Sequence, residues 1–84
     1  MINISVNLKQ EAVNEQTSPK RLKFLASLNE ELARLVAKNH SANSELLKVL
    51  ASSKDFVVCA GVAGNPNAPP NVLKILKGKY LKNY

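Results

Sequence analysis

The chain repeats itself, and that constrains its fold more than any other feature. Three thirteen-residue segments align without a gap: 14–26 (NEQTSPKRLKFLA), 39–51 (NHSANSELLKVLA) and 65–77 (NPNAPPNVLKILK). Leu22, Leu47 and Leu73 share one column, and Leu25, Leu50 and Leu76 share another. Phe24, Val49 and Ile75 fall between them, and Lys23, Lys48 and Lys74 form a fourth column. A second stretch echoes as well: 29–39 (NEELARLVAKN) against 55–65 (DFVVCAGVAGN). The spacing is 25 residues from Asn14 to Asn39 and 26 from Asn39 to Asn65, with the extra residue assigned to the turn around Ser52 to Lys54. A fixed period of this length is the signature of stacked supersecondary units, since one unit cannot bury its apolar face alone.

Each unit reads as two short helices. Apolar residues recur at three- and four-residue spacing in Leu22, Leu25 and Ala26, in Leu46, Leu47, Leu50 and Ala51, and in Val72, Leu73 and Leu76. That is helical periodicity. Thr17 or Ser18 can cap the first helix, Asn43 the corresponding helix of the next unit, and Pro19, Pro69 and Pro70 suit a first turn that needs no N–H. Asn29 and Asp55 are aligned caps for the second helices, whose buried stripes are Leu32, Leu35 and Val36, then Val58, Gly61 and Val62. Asn39 and Asn65 stand where these helices end, which suits the tolerance of Asn for a left-handed stop. The small residues Ala33, Ala37, Ala60, Gly61 and Ala63 would let neighbouring second helices approach closely.

The fold class expected is all-α, a single domain over 1–84. Residues 1–13 form a partial N-terminal unit or an arm, 14–38 repeat 1, 39–64 repeat 2, and 65–84 a partial repeat 3 with a C-terminal cap. Lys77, Lys79 and Lys82, with Tyr80 and Tyr84, either shield the last face or mark where a partner docks.

Residues 62–76 (VAGNPNAPPNVLKIL) resemble the bacterial variant leucine-rich repeat, a Val-Ala-x-Asn-Pro-x-x-Pro phrase followed by a Leu-x-x-Leu helix. The resemblance runs over about residues 14–77 and is strongest from Ser44 to Leu76. It implies a short right-handed α-solenoid of two to three helical pairs, akin to HEAT and armadillo repeats. The chain departs from the family in having Cys59 and Ala33 where Arg is common, and His40 where Pro66 stands in the next unit. It lacks the cysteine-rich segment that holds an iron–sulfur cluster in one member, so no cofactor is expected. The family has no single activity, and fold does not supply function.

The remaining chemistry is sparse. With one cysteine, Cys59, and one histidine, His40, the chain has no intramolecular disulfide and no cysteine-cluster metal site. Cys59 reads as a packed thiol beside Val58 and Val62. Of the carboxylates, several sit near helix starts, where capping and the helix dipole account for them. No catalytic, cofactor or metal residue is assigned, and the chain is expected not to be an enzyme. The absence of a basic-then-apolar leader and of any apolar run near ~18 residues leads to an expectation of a cytoplasmic protein with no membrane span.

What stays unassigned is basic. Twelve cations, ten of them Lys, face six carboxylates for a formal +6. Lys23, Lys48 and Lys74 each follow a core Leu, so they point off the buried stripe and would line one side of a stack. Lys20 and Arg21 extend that row at one end, Lys77 and Lys79 at the other. The inter-unit turns add His40, Ser41, Asn43, Asn65, Asn67 and Asn71. The expected function is a non-catalytic module that binds an acidic protein surface; the alternative is electrostatic binding of nucleic acid along Lys23, Lys48 and Lys74, with helices ~8–10 Å apart matching phosphates every ~3.4 Å. A solvated lysine face is the plain alternative to both. Self-association would use the end faces of the stack, leaving a monomer or a weak homo-oligomer.

Overall fold

In a computed structural model the chain is described from residue 4 to residue 81. It is all-helical there: α1 (Ile4–Val13), α2 (Pro19–Leu28), α3 (Glu30–Lys38), α4 (Ser44–Leu50), α5 (Phe56–Gly64) and α6 (Pro70–Tyr80). Residues 1–13 thus contain a helix from Ile4 onward. Lys82 and Tyr84, expected to help shield the last face, lie outside the described residues.

The helix starts follow from the caps. Ser18 Oγ accepts from the Arg21 N–H at 3.2 Å, Asn29 Oδ1 from Leu32 at 2.8 Å, Asn43 Oδ1 from Leu46 at 2.9 Å and Asp55 Oδ1 from Val58 at 3.0 Å. Each satisfies one of the four donors that a helix start leaves orphaned. Pro19 and Pro70 occupy the first helical turn, where no N–H is required. Asn29 alone separates α2 from α3, whereas residues 51–55 separate α4 from α5. In that longer turn Asp55 N–H bonds Ser53 Oγ at 3.0 Å.

Helices α1, α3 and α5 pack one on the next, α2 lies against α3, α4 against α5, and α6 against α5. The molecule is elongated, 51 × 20 × 15 Å. One aliphatic core runs through it, with Leu22, Leu25, Val36, Leu47, Val58 and Val72 fully buried. Burying each such side chain stabilises the fold by about 1.5–3 kcal/mol. Of the expected stripe residues, Ala26, Leu35 and Leu73 are only half-buried.

Two expectations change. Asn39 and Asn65 do end their helices, but with extended backbone (φ −76°, ψ 127° and φ −82°, ψ 126°), not in the left-handed region. Among the described residues no side-chain-bearing position has positive φ. Close approach of the second helices is also more local than the run of small residues suggests. Gly61 meets α3 so tightly that a Cβ there would lie 2.9 Å from Ala37 Cβ. Ala33 and Ala37 are buried, but Ala60 and Ala63 are exposed: both line the cleft between α5 and α6, and Ala60 also borders a groove with Lys38 at the end of α3.

Candidate functional site

The turns that carry several candidate residues are bonded internally. Asn39 and Asn65 are both buried. Asn39 Nδ2 donates to the Ala12 carbonyl at 2.8 Å and the Asn14 carbonyl at 3.0 Å, while its Oδ1 accepts from Ser41 N–H at 2.8 Å. Asn65 does the same one step along: Nδ2 donates to Ala37 and Asn39 carbonyls, each at 2.9 Å, and Oδ1 accepts from Asn67 N–H at 2.9 Å. A second rung accompanies each. Ser41 Oγ donates to the Glu15 carbonyl, and Asn67 Nδ2 to the His40 and Ala42 carbonyls at 2.5 and 3.0 Å. The carboxamide is the right group here, since it donates twice and accepts at once. Carbonyls left over at one helix end are thereby satisfied from the next turn.

This sorts the candidates. Asn67 is committed to the turn, and Asn43 to its cap on α4. His40 is exposed and offers its carbonyl to Asn67. Asn71 is exposed in the first turn of α6. Arg21 is engaged by Glu11, with Nε–Oε2 at 2.5 Å and Nη2–Oε1 at 3.1 Å, and its guanidinium lies 4.9 Å from the Phe24 ring centroid. That pairing holds the Glu11 carboxyl below its ordinary range and raises Arg21. Arg34 forks onto Asp55 across the α3–α5 junction at 2.7–3.2 Å. Asp55, its side chain only 6% exposed, is held well below the usual carboxylate range by the Arg34 hydrogen bond, helped by the Val58 N–H.

The lysines are different. Lys20, Lys23, Lys48, Lys74 and Lys77 are exposed, and none of them ion-pairs among the described residues. Lys20 and Lys23 share a groove of about 310 Å³ between α2 and α4 with Asn43, Glu45 and Val49. Lys48 and Lys74 keep the same register on α4 and α6, and Lys77 stands at the α5–α6 cleft. Beside the aligned lysines, Phe24, Val49 and Ile75 are 49%, 57% and 52% exposed. The outer side of α2, α4 and α6 therefore carries a cation next to a large apolar group three times.

No protein-family model, no curated protein and no solved structure matches the chain.

Cys59 is buried, and its Sγ lies 3.3 Å from the Ser53 carbonyl and 3.6 Å from that of Ala51. Lys79 Nζ reaches the same Ser53 carbonyl at 2.5 Å and lies 3.7 Å from Cys59 Sγ. Lys79 is thus tied to the α4–α5 turn rather than extending the lysine row.

One feature is not apparent from the repeat pattern. An apolar cleft of about 470 Å³ lies between α5 and α6, lined by Phe56, Ala60, Ala63, Leu73 and Tyr80 among others. Phe56 and Tyr80 meet edge to face at 5.3 Å. A signal was available: no charged residue occurs from Phe56 to Leu73, so α5 is apolar on every side. Such a helix is either enclosed or docked against something.

Among the described residues no helix is long and apolar enough to cross a membrane.

Proposed function

We propose that the chain is a short α-solenoid of helical pairs, of the variant leucine-rich repeat kind, acting as a non-catalytic module that binds an acidic protein surface. Three observations support the solenoid reading: the α1–α3–α5 packing, the recurring asparagine turns, and the shared register of α2, α4 and α6. Stacked units of this kind present an extended surface with contacts only between neighbours.

The observation that carries the function is the outer side of α2, α4 and α6. There Lys23–Phe24, Lys48–Val49 and Lys74–Ile75 each pair an ammonium that is unengaged among the described residues with an exposed apolar side chain. Val49 and Ile75 offer no ring on which a base can stack, and one face of the Phe24 ring carries the Arg21 guanidinium. Aliphatic groups beside lysines suit a partner that brings carboxylates and apolar side chains together, which is the composition of a protein surface.

The test is a titration with fluorescent poly-glutamate and with a 20-nucleotide single strand, from 50 to 300 mM salt. Wild type binds poly-glutamate, and Lys23→Glu/Lys48→Glu/Lys74→Glu loses that binding. Tighter binding of the single strand, with affinity falling log-linearly in salt as phosphate contacts require, would favour nucleic acid instead.

A further inference from the structure

We infer that the α5–α6 cleft is a second docking site, which receives an amphipathic helix carrying carboxylates along its flank. It extends the interaction reading to another face and does not depend on it.

Helix α5 has two sides. On one it packs against α3, with Gly61 allowing the approach of Ala37. On the other, Phe56, Ala60 and Ala63 are exposed, Phe56 to 64%. Leu73, Tyr80 and Lys77 of α6 complete the cleft. Small residues at 60 and 63 keep its floor flat, which is what lets two helices approach.

The molecule itself indicates the chemistry of the occupant. At both junctions between successive second helices, the earlier helix supplies a cation and the later one a carboxylate position. Lys9 of α1 meets Glu31 of α3 at 2.6 Å, and Arg34 of α3 meets Asp55, the cap of α5, at 2.7 Å. At the exposed side of α5 the cation comes from α6, where Lys77 lines the cleft and Lys74 lies one turn earlier. No carboxylate occurs in the sequence after Asp55. Among the described residues that line the cleft the one charged side chain is Lys77, so a helix entering it gains by bringing Glu or Asp. A second copy of this chain suits it poorly: with a formal charge of +6, two copies meet with like charge.

The test uses two labelled 18-residue amphipathic peptides, one with a Leu stripe flanked by Glu and one with Lys in place of each Glu. Fluorescence anisotropy against the full chain in 150 mM salt is expected to show the Glu peptide binding about tenfold or more tighter than the Lys peptide. Ala60→Glu, at an exposed position, is expected to weaken the Glu peptide about tenfold with an unchanged melting curve, and Lys77→Glu about threefold. Equal binding of both peptides, no binding of either, or indifference to Ala60→Glu would overturn the inference. Loss on Lys23→Glu/Lys48→Glu/Lys74→Glu but not on Ala60→Glu would overturn it while leaving the outer-side reading intact. A wild-type mass that doubles with concentration and reverts in Ala60→Glu would give the cleft to a second copy and equally overturn it.

Discussion

Ala60 and Gly61 are neighbours in sequence and small alike, yet they do opposite things. Gly61 is where α5 closes on α3, and a single added methyl has nowhere to go. Ala60 faces the α5–α6 cleft with room beside it. The same contrast separates the asparagines. Asn39 and Asn65 are buried and bonded to the preceding turn, whereas Asn14, the first of the column, is exposed, and among the described residues its side chain accepts only a local bond from Gln16 N–H at 2.8 Å. Position in the repeat does not determine a residue's role. What matters is whether a neighbouring unit stands on the side it faces.

The sharpest way to break this contrast is at the asparagines. Asn65→Ala removes two buried donations and strands the Ala37 carbonyl, while that of Asn39 keeps the Ala42 N–H at 3.0 Å, so it should destabilise by about 2–4 kcal/mol, which in a domain of this size lowers the melting temperature by about 8–30 °C. Asn14→Ala should cost no more than about 0.5–1 kcal/mol by the same melt. Similar losses at the two positions would mean that the buried bonds do not hold the turns.

Next come the glycines. Gly61→Ala gains helix propensity but drives a Cβ against Ala37, and chemical denaturation should show a net loss of about 1 kcal/mol. Gly78→Ala, with nothing within 4 Å of the new Cβ, should gain about 0.5–1 kcal/mol. Ala60→Glu should stay within about 0.5 kcal/mol of wild type, as an exposed substitution does.

The smallest effect concerns charge. Asp55 is held below its ordinary range in the folded chain, so its contribution is present above about pH 4 and is lost as pH falls through the depressed value. Asp55→Asn keeps a capping side chain but loses the charge. Melting curves of the two proteins should differ at pH 7 and converge as the solution is acidified below about pH 4. A constant difference across pH would assign the effect to the cap instead of the ion pair.

Local signals were legible in the sequence, and tertiary ones were not. The caps at Asn29, Asn43 and Asp55 are visible because a cap bonds within three residues of itself. Ser18, one of two candidates beside Thr17, is the residue that caps; Thr17 Oγ1 instead donates back to the Glu11 carbonyl at 2.7 Å. The asparagine columns are visible in the sequence, but their mechanism is not. A left-handed stop is a local property, whereas the observed bonds reach 25 to 28 residues back, which no local pattern encodes. The lysine column is legible because Lys23 and Lys48 follow the buried Leu22 and Leu47, and Lys74 keeps their place in the repeat after the half-buried Leu73. The cleft is not legible because a run of small residues does not say which side each one faces, and Ala60 and Gly61 border different neighbours.

The most direct measurement is a ¹H–¹⁵N correlation spectrum of the chain titrated with poly-glutamate. It reads the free surface and the bonded turns together. On the proposed reading the amides of Lys23–Phe24, Lys48–Val49 and Lys74–Ile75 shift, while the side-chain amides of Asn39 and Asn65 stay fixed and slow to exchange. Shifts spread evenly over the chain, or centred on the asparagine turns with the lysine side unmoved, would contradict it.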